Sequence, residues 1–239
     1  KYALGDMNLW EMKMKGEIKY TSDALVFGTM YDMLLFEKEK AMSEYSVVDT
    51  DQILCNCSQK TQDSKSPNLT KEYKEAKAIL IDAAKAEGKT LVSGEDWKKA
   101  NDMIERLDAC GLTNTYLKGE YQVEFNEEID GVPVRGFLDC LGDGFITDSK
   151  SARSVDKFRY DINSWSYDIQ AYIYTKVFNV KDYYWVVQEK TAPYYPALVK
   201  CSEETLFRGE MKFQQALSNI EKWLEEGTPT NTDYAVFTV

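Results

Sequence analysis

The sequence contains no histidine among its 239 residues. Serine–histidine and cysteine–histidine catalysis therefore cannot operate within this chain, and zinc sites built on imidazole are excluded as well. Any metal chemistry has to rest on carboxylates, whose oxygen atoms suit magnesium and manganese. The chain offers 40 Asp and Glu residues from which such a site can be built.

Cysteine and long apolar stretches are also scarce. The five cysteines are odd in number and scattered, unlike a disulfide framework. Cys55 and Cys57 form a CxC pair, but no second close pair completes a four-ligand zinc or iron–sulfur centre. No run of about eighteen apolar residues occurs, and the charged first residues do not resemble a signal peptide. We therefore expect a cytoplasmic protein without a membrane segment.

The formal net charge is −11. Acidity of this size argues against non-specific binding of nucleic acid over the whole surface, but not against a local basic groove. One locally basic segment runs through Lys150, Arg153, Lys157 and Arg159 and is interrupted by acidic residues. The alternative interpretation is a solvated loop of mixed charge.

Residues 1–115 have mainly helical patterns. Helical spacing of apolar residues predicts three helices, with a polar loop between the first and the second. Ser93 is the predicted N-cap of the third helix, and Gly111 ends the helical run. The three helices and the loop are predicted at Thr21–Met42, Lys71–Ala86 and Gly94–Leu107, and at Asp51–Asn68, respectively.

Residues 116–239 change to strand patterns at Glu120. Alternating apolar residues, the hairpin signal Asp130-Gly131 and the turn Gly142–Gly144 predict a three-strand meander that ends at Asp148. A helix, a pair of strands and a final helix follow, predicted at Ser164–Phe178, Asp182–Gln188 with Tyr195–Lys200, and Ser202–Trp223. The expected fold class is α/β, a single domain with a mixed central sheet flanked by helices and an N-terminal helical addition.

The candidate chemistry lies at the end of the meander. A D/E-x-K triplet by itself is not informative, because it also occurs at places such as Glu72-Tyr73-Lys74. Asp148-Ser149-Lys150 differs because it ends an apolar strand, where period-two geometry puts Asp148 and Lys150 on one face. The turn brings Asp139 of the preceding strand alongside, and two carboxylates near one ammonium group indicate a metal site or, alternatively, a buried salt bridge.

Four further residues have weaker signals. Glu120 starts the first strand of the meander and Asp32 lies in the first long helix, so either carboxylate could supply a metal ligand. Gln170 and Tyr174 are four residues apart on one helical face and could together contact a phosphate or the lysine. Taken singly, each is more often an ordinary solvated or incidental side chain.

The order of these motifs resembles the exonuclease VIII (RecE-like) branch of the PD-(D/E)XK nucleases, and the resemblance covers most of the chain. The segment around Gly28-Thr29 is similar to a helix of that family that enters the active site. The family often has a histidine metal ligand where this sequence has Asp32. The motifs that carry the resemblance are Gly28-x-x-x-Asp32, Glu120, Asp139, Asp148-Ser149-Lys150 and Gln170-x-x-x-Tyr174.

The resemblance implies a restriction-endonuclease-like core that hydrolyses DNA phosphodiesters with magnesium, or manganese as a substitute. Asp139, Asp148 and Lys150 would be the catalytic residues. No iron–sulfur cluster is expected, because Cys201 is the only cysteine after Cys140. The implied metal ligands are Asp32, Glu120, Asp139, Asp148 and Ser149, and the implied substrate contacts are Gln170, Tyr174, Arg153 and Lys157.

The resemblance further implies digestion of double-stranded DNA ends from the 5′ side, which leaves 3′ overhangs for a single-strand annealing protein. Such enzymes are often ring-shaped homo-oligomers of phage recombination modules in bacterial cells. Three alternatives stay open. They are a nuclease of the same fold with another polarity or task, an inactive DNA-binding module, and an acidic interaction protein with a coincidental Asp-Ser-Lys triplet.

Overall fold

The computed structural model describes residues 2–18 and 22–227. Its first half is mainly helical, and none of the helices in these residues is long and apolar enough to cross a membrane. Strands β1 (Tyr45–Val48) and β2 (Thr90–Ser93) pair in parallel as a separate two-stranded sheet. The helices of this half are α1 (Met7–Met14), α2 (Asp23–Phe36), α3 (Lys38–Glu44), α4 (Thr50–Cys55), α5 (Gln59–Gln62), α6 (Lys71–Ala86), α7 (Gly94–Ala109) and α8 (Leu112–Thr115), with 3-10 turns at Tyr2–Leu4 and Pro67–Leu69.

Helices α6 and α7 confirm the sequence prediction, and the Ser93 hydroxyl accepts the hydrogen bond of Asp96 N at 3.0 Å as the N-cap. The single helix predicted over 21–42 is wrong. Glu37 has non-helical backbone angles and divides it into α2 and α3, and Thr21 lies outside the described residues.

The predicted loop Asp51–Asn68 is also wrong, because the segment forms α4, α5 and a 3-10 turn. Buried Ile53 anchors α4 in a small apolar cluster with Tyr73 of α6. The polar composition of this segment suggested a loop, but its polar groups are hydrogen-bonded within the fold. The Glu72 carboxylate accepts hydrogen bonds from Ser58 N and Ser58 Oγ, each at 2.7 Å. Sequence composition alone did not show that these polar groups satisfy one another.

The second half contains a five-stranded mixed sheet in the order β3-β4-β5-β6-β7. The predicted meander is confirmed as β3 (Glu120–Ile129), β4 (Val132–Leu141) and β5 (Phe145–Ala152), all antiparallel neighbours. Asp130 and Gly131 have φ of 53° and 84°, which is the combination that the two-residue hairpin turn requires. Strand β6 (Asp182–Glu189) then runs parallel to β5, and β7 (Pro196–Lys200) pairs antiparallel with β6.

The helices of the second half cover one face of this sheet. The helix predicted over Ser164–Phe178 is confirmed as α10 (Tyr167–Phe178), which begins three residues later because Ser166 has a left-handed backbone with φ of 60°. A further short helix, α9 (Phe158–Ser164), precedes it. Helix α11 (Glu203–Glu226) packs on α10. Gly209 makes this contact close, since a Cβ atom there would lie 2.1 Å from the carbonyl oxygen of Asp168.

The two faces of the sheet bury different helices. Val186 of β6 shares an apolar cluster with α2 and α7, whereas its neighbours Trp185 and Val187 share another cluster with α9 and α10. This alternation along β6 has the period of a strand buried on both faces. The expected α/β class, with a mixed sheet between helices, is confirmed, and α2 and α10 approach β5 from opposite faces.

Candidate active site

The site lies where strands β4 and β5 separate. The two strands pair only at Cys140 with Thr147 and at Leu141 with Ile146. Beyond that point the backbone N–H of Ser149 has no strand partner on the β4 side and donates instead to Asp139 Oδ2 at 2.9 Å. The carboxylate of Asp139 therefore fills the gap between the strands and holds β5 at the position of the Asp-Ser-Lys triplet.

Asp148 is the most deeply buried carboxylate of the triplet region, with 1% of its surface exposed. Its Oδ1 accepts a hydrogen bond from Gln170 Nε2 at 2.9 Å, and its Oδ2 forms an ion pair with Lys150 Nζ. Burial raises the pKa of Asp148 to about 7, against the effect of Lys150 and with a further upward contribution from Asp139. Burial is thus the main reason why the charged form of Asp148 is disfavoured, in spite of its ion pair with Lys150.

Lys150 is the cation of the site. Burial acts to lower the pKa of its ammonium group, but the carboxylates of Asp148 and Asp139 outweigh burial and raise it. Its Nζ also donates to the Ser149 carbonyl oxygen at 3.2 Å and lies 5.2 Å from the centroid of the Tyr167 ring. Lys150 is thus held in its charged form, with a fixed direction.

Asp32 reaches the same place from the other face of the sheet. Burial and the charge of Asp139 raise the pKa of Asp32 well above its ordinary value. The neighbouring residue on α2 fixes this helix, because Tyr31 Oη donates to Gln188 Oε1 at 2.8 Å. Gln188 Nε2 in turn donates to the Met103 carbonyl at 2.8 Å, so that β6, α2 and α7 are joined in one buried network.

The chemistry of these oxygen donors fits a hard divalent cation. Asp32, Asp139 and Asp148 interact electrostatically, and the raised pKa values of Asp32 and Asp148 mean that their charged forms are disfavoured without a cation nearby. A bound cation would offset this cost. Over 2–18 and 22–227, however, the structure holds no group of three or more Asp, Glu, Cys or His side chains already arranged around a metal position. Glu120, also considered as a ligand, is exposed at the start of β3 and pairs with Leu141.

Helix α10 gives Gln170 and Tyr174 contacts within the protein. Gln170 Nε2 bonds to Asp148 and, at 3.2 Å, to Tyr174 Oη, which itself donates to the Phe137 carbonyl at 2.7 Å. The helix is anchored at its start by Asp168, a buried carboxylate that pairs with Arg208 Nε at 2.7 Å and Lys212 Nζ at 2.8 Å on α11. Gln170 and Tyr174 therefore contact both Asp148 on β5 and the backbone of β4, so they fix α10 against the two strands of the site.

Arg153 and Lys157 follow the site but do not touch it. Both side chains are exposed in the segment between β5 and α9, and neither forms an ion pair with a residue in the described ranges. Sequence reasoning did not single out Tyr167, Asp168 or Gln188. Of these three residues, only Asp168 could have been found from the sequence, because it lies two residues before Gln170 on the same predicted helix.

Comparisons with known proteins place this arrangement in context. The sequence model of a family described as "PDDEXK-like domain of unknown function (DUF3799)" matches residues 9–234. Among solved structures, a protein from Eubacterium rectale to which an exonuclease activity has been attributed is 15% identical, with a TM-score of 0.53, over 95% of this chain and 82% of that chain. A second structure, of the protein SSO0001, is 16% identical over 86% of this chain and 90% of that one, at a TM-score of 0.35. The search of curated proteins returned no match.

Proposed function

Because the chain belongs to the family of PDDEXK-like domains of unknown function (DUF3799), we propose that it is a metal-dependent deoxyribonuclease that degrades linear double-stranded DNA from its ends. The observation that carries this proposal is the buried pair Asp148–Lys150, with Asp139 in the gap between β4 and β5. Two carboxylates and one ammonium group at the split of two strands supply the charges that phosphodiester hydrolysis needs.

Magnesium is the proposed cofactor, with manganese as a substitute. Asp139, Asp148 and Asp32 would hold it, assisted by the carbonyl oxygen of Ser149. A bound ion would lower the pKa of water and stabilise the negative charge that develops on the phosphate. The like charges of the three carboxylates support this assignment, because an ion among them offsets their repulsion.

The remaining residues would position the substrate and the catalytic groups. Lys150 carries a positive charge beside Asp148, so it would orient the attacking water and stabilise charge on the phosphate rather than remove a proton. Gln170 would keep Asp148 in one rotamer through its 2.9 Å hydrogen bond. The exposed side chains of Arg153 and Lys157 would contact the phosphates of the incoming strand.

The finer part of the proposal concerns polarity and assembly. We propose cleavage in the 5′ to 3′ direction, which leaves a 3′ overhang for a single-strand annealing protein, by a ring-shaped homo-oligomer. The sequence resemblance supports this part, and the net charge of −11 is compatible with a ring whose basic residues face only an internal channel.

The test is digestion of linear duplex DNA labelled at either the 5′ or the 3′ end, with magnesium and with Asp148→Ala as the control. We expect the 5′ label to be lost first, and no loss with the variant. Release of internal fragments before either label would indicate an endonuclease of the same fold. No cleavage with magnesium or manganese would contradict the proposed enzyme activity and favour an inactive DNA-binding module.

A further inference from the structure

A pocket of about 570 Å³ lies in the first half of the chain, away from the residues of the candidate active site. It is formed between the start of α4, the 3-10 turn at Pro67–Leu69 and the first turns of α6. The residues that line it are Thr50, Pro67, Asn68, Tyr73, Lys74 and Lys77.

The polar side chains of this lining are either cationic or neutral. Lys74 and Lys77 supply two ammonium groups, and neither forms an ion pair with any residue in 2–18 or 22–227. The hydroxyl of Thr50 and the amide of Asn68 add neutral hydrogen-bond donors. Within the described part of the chain no carboxylate lines the pocket, although the net charge of the protein is −11. The pocket is therefore suited to an anion.

The carboxylates next to these lysines on α6 are engaged by other partners. Glu72 accepts hydrogen bonds from Ser58 N and Ser58 Oγ, each at 2.7 Å. Glu75 pairs with Lys71, whose Nζ lies 3.5 Å from Glu75 Oε1. The positive charge of the pocket is thus not offset by an ion pair with its own helix.

Tyr73 gives the pocket a buried donor. Only 7% of its surface is exposed, and its ring packs in the apolar cluster of Ile53 and Ala76. Its hydroxyl group forms no hydrogen bond with any other residue that the structure describes. Nearly all buried polar groups in folded proteins have a hydrogen-bond partner. Because Tyr73 lines the pocket, an oxygen atom of a bound ligand can accept this hydrogen bond.

We propose that this pocket binds a phosphate group. A phosphate carries negative charge and several acceptor oxygens, which match the two ammonium groups of Lys74 and Lys77 and the buried hydroxyl donor of Tyr73. The phosphate is either a free ion or part of a DNA backbone that passes over α4 and α6. The inference goes beyond the proposed nuclease function and does not depend on it, because none of the lining residues belongs to the site at Asp148.

The test is isothermal titration calorimetry with sodium phosphate at constant ionic strength, in a chelator so that no metal ion contributes to binding. We expect saturable binding of phosphate by the wild-type protein. Tyr73→Phe keeps the ring and every charge, and it should weaken binding about 10-fold, the usual size of one hydrogen bond to a charged group. Lys77→Gln should weaken binding by at least as much, because it removes a charged donor.

Lys85→Gln is the matched control, because it removes the same charge from the other end of α6 and Lys85 does not line the pocket. It should bind phosphate like the wild type, and sodium acetate should not bind to any of these proteins. The inference is overturned if the wild type shows no saturable phosphate binding or binds acetate equally well. It is also overturned if Tyr73→Phe keeps the wild-type affinity, or if Lys77→Gln and Lys85→Gln lose equal affinity.

The source of the phosphate is identified by a second measurement, the affinity for labelled duplex DNA by fluorescence anisotropy in the same chelator. Weaker DNA binding by Tyr73→Phe and Lys77→Gln, but not by Lys85→Gln, would identify a phosphate of the DNA backbone. Equal DNA affinity of all variants, together with their loss of phosphate binding, would identify a free phosphate ion. Cleavage of DNA with magnesium is measured separately, so a failure of the nuclease function and a failure of the phosphate pocket are distinguishable.

Discussion

At the level of single residues, the ion pair between Lys150 and Asp148 predicts that a substitution of Lys150 affects the rate of cleavage and not the affinity for DNA. Lys150 is paired with Asp148 and mostly buried, so we expect it to stabilise charge at the reacting phosphate more than to contact the outer surface of the DNA. We predict that Lys150→Ala slows cleavage by about 10²–10³-fold, which is the usual effect of removing one preorganised charge stabiliser. The measurement is the single-turnover rate with magnesium, together with DNA affinity in calcium.

Lys181→Ala is the control for this prediction, since Lys181 is exposed just before β6 and away from the triplet. It should cleave at the wild-type rate. Affinity for DNA should change by no more than a few-fold in Lys150→Ala. A normal cleavage rate in Lys150→Ala would show that the site is not the catalytic centre.

A second prediction for a single residue concerns Asp32 and the pH dependence of the stability of the metal-free protein. Burial raises the pKa of Asp32 well above its unfolded value of about 3.9, so the folded state holds the proton to higher pH than the unfolded state. Between the two pKa values the folded state binds more protons, and its stability falls as the pH rises. Asp32→Asn should remove this loss, so its free energy of unfolding should exceed that of the wild type at pH 8.

The measurement is urea unfolding in a chelator at pH 5 and pH 8. The difference between Asp32→Asn and the wild type should grow with pH. Asp82→Asn, an exposed carboxylate on α6, should show no such trend. A lower stability of Asp32→Asn at pH 8 would mean that the Asp32 carboxylate is a net stabilising group in the absence of metal.

At the level of secondary-structure elements, we expect alanine substitutions at two helical glycines to have opposite effects on stability. Gly209 lies where α11 crosses α10, and an added Cβ would meet the Asp168 carbonyl oxygen at 2.1 Å. Gly28 lies within α2, and an added Cβ there would meet nothing within 4 Å. Gly209→Ala should therefore destabilise the fold by about 1–3 kcal/mol through overpacking, whereas Gly28→Ala should stabilise it by about 0.5–1 kcal/mol through helix propensity.

Both variants are compared by the midpoint of urea unfolding. Gly209→Ala should also lower activity, because it displaces the helix that carries Gln170. Equal stability of Gly209→Ala and the wild type would contradict the close packing of α10 on α11. A destabilised Gly28→Ala would show that the space over this glycine is filled.

At the scale of the whole molecule, divalent cations should stabilise the fold. The chain has a net charge of −11, so a weak general response to any cation is expected from its surface. A specific site adds about 2.7 kcal/mol at a magnesium concentration about 100-fold above its Kd. For a chain of this length that corresponds to a Tm increase of about 5–10 °C.

The control variant is Asp139→Asn, which keeps the shape of the side chain but removes its charge. We expect magnesium to raise the Tm of this variant only slightly. The increase should be no larger than the increase that sodium chloride of equal ionic strength causes in the wild type. An equal magnesium response in the variant and the wild type would place the cations on the general surface and not in the gap between β4 and β5.

The elements whose signals are local could be predicted from the sequence alone. The hairpin Asp130-Gly131, the capped helices α6 and α7 and the strand that ends in Asp148-Ser149-Lys150 all follow from spacing over a few residues. The order of the motifs also indicated the PD-(D/E)XK superfamily, which the family match over 9–234 confirms. The absence of histidine directed the metal hypothesis to carboxylates before any contact was known.

Which of these residues come into contact depends on the tertiary fold. The bond from Gln170 to Asp148 joins positions 22 residues apart, and the bond from Tyr31 to Gln188 joins positions 157 residues apart. The tertiary fold also left Glu120 exposed at the start of β3, divided one predicted helix at Glu37, and moved the start of another to Tyr167. A local sequence pattern indicates only which face of a helix or strand is apolar. The separation of β4 from β5 could not be predicted in this way, because it depends on packing from both faces of the sheet.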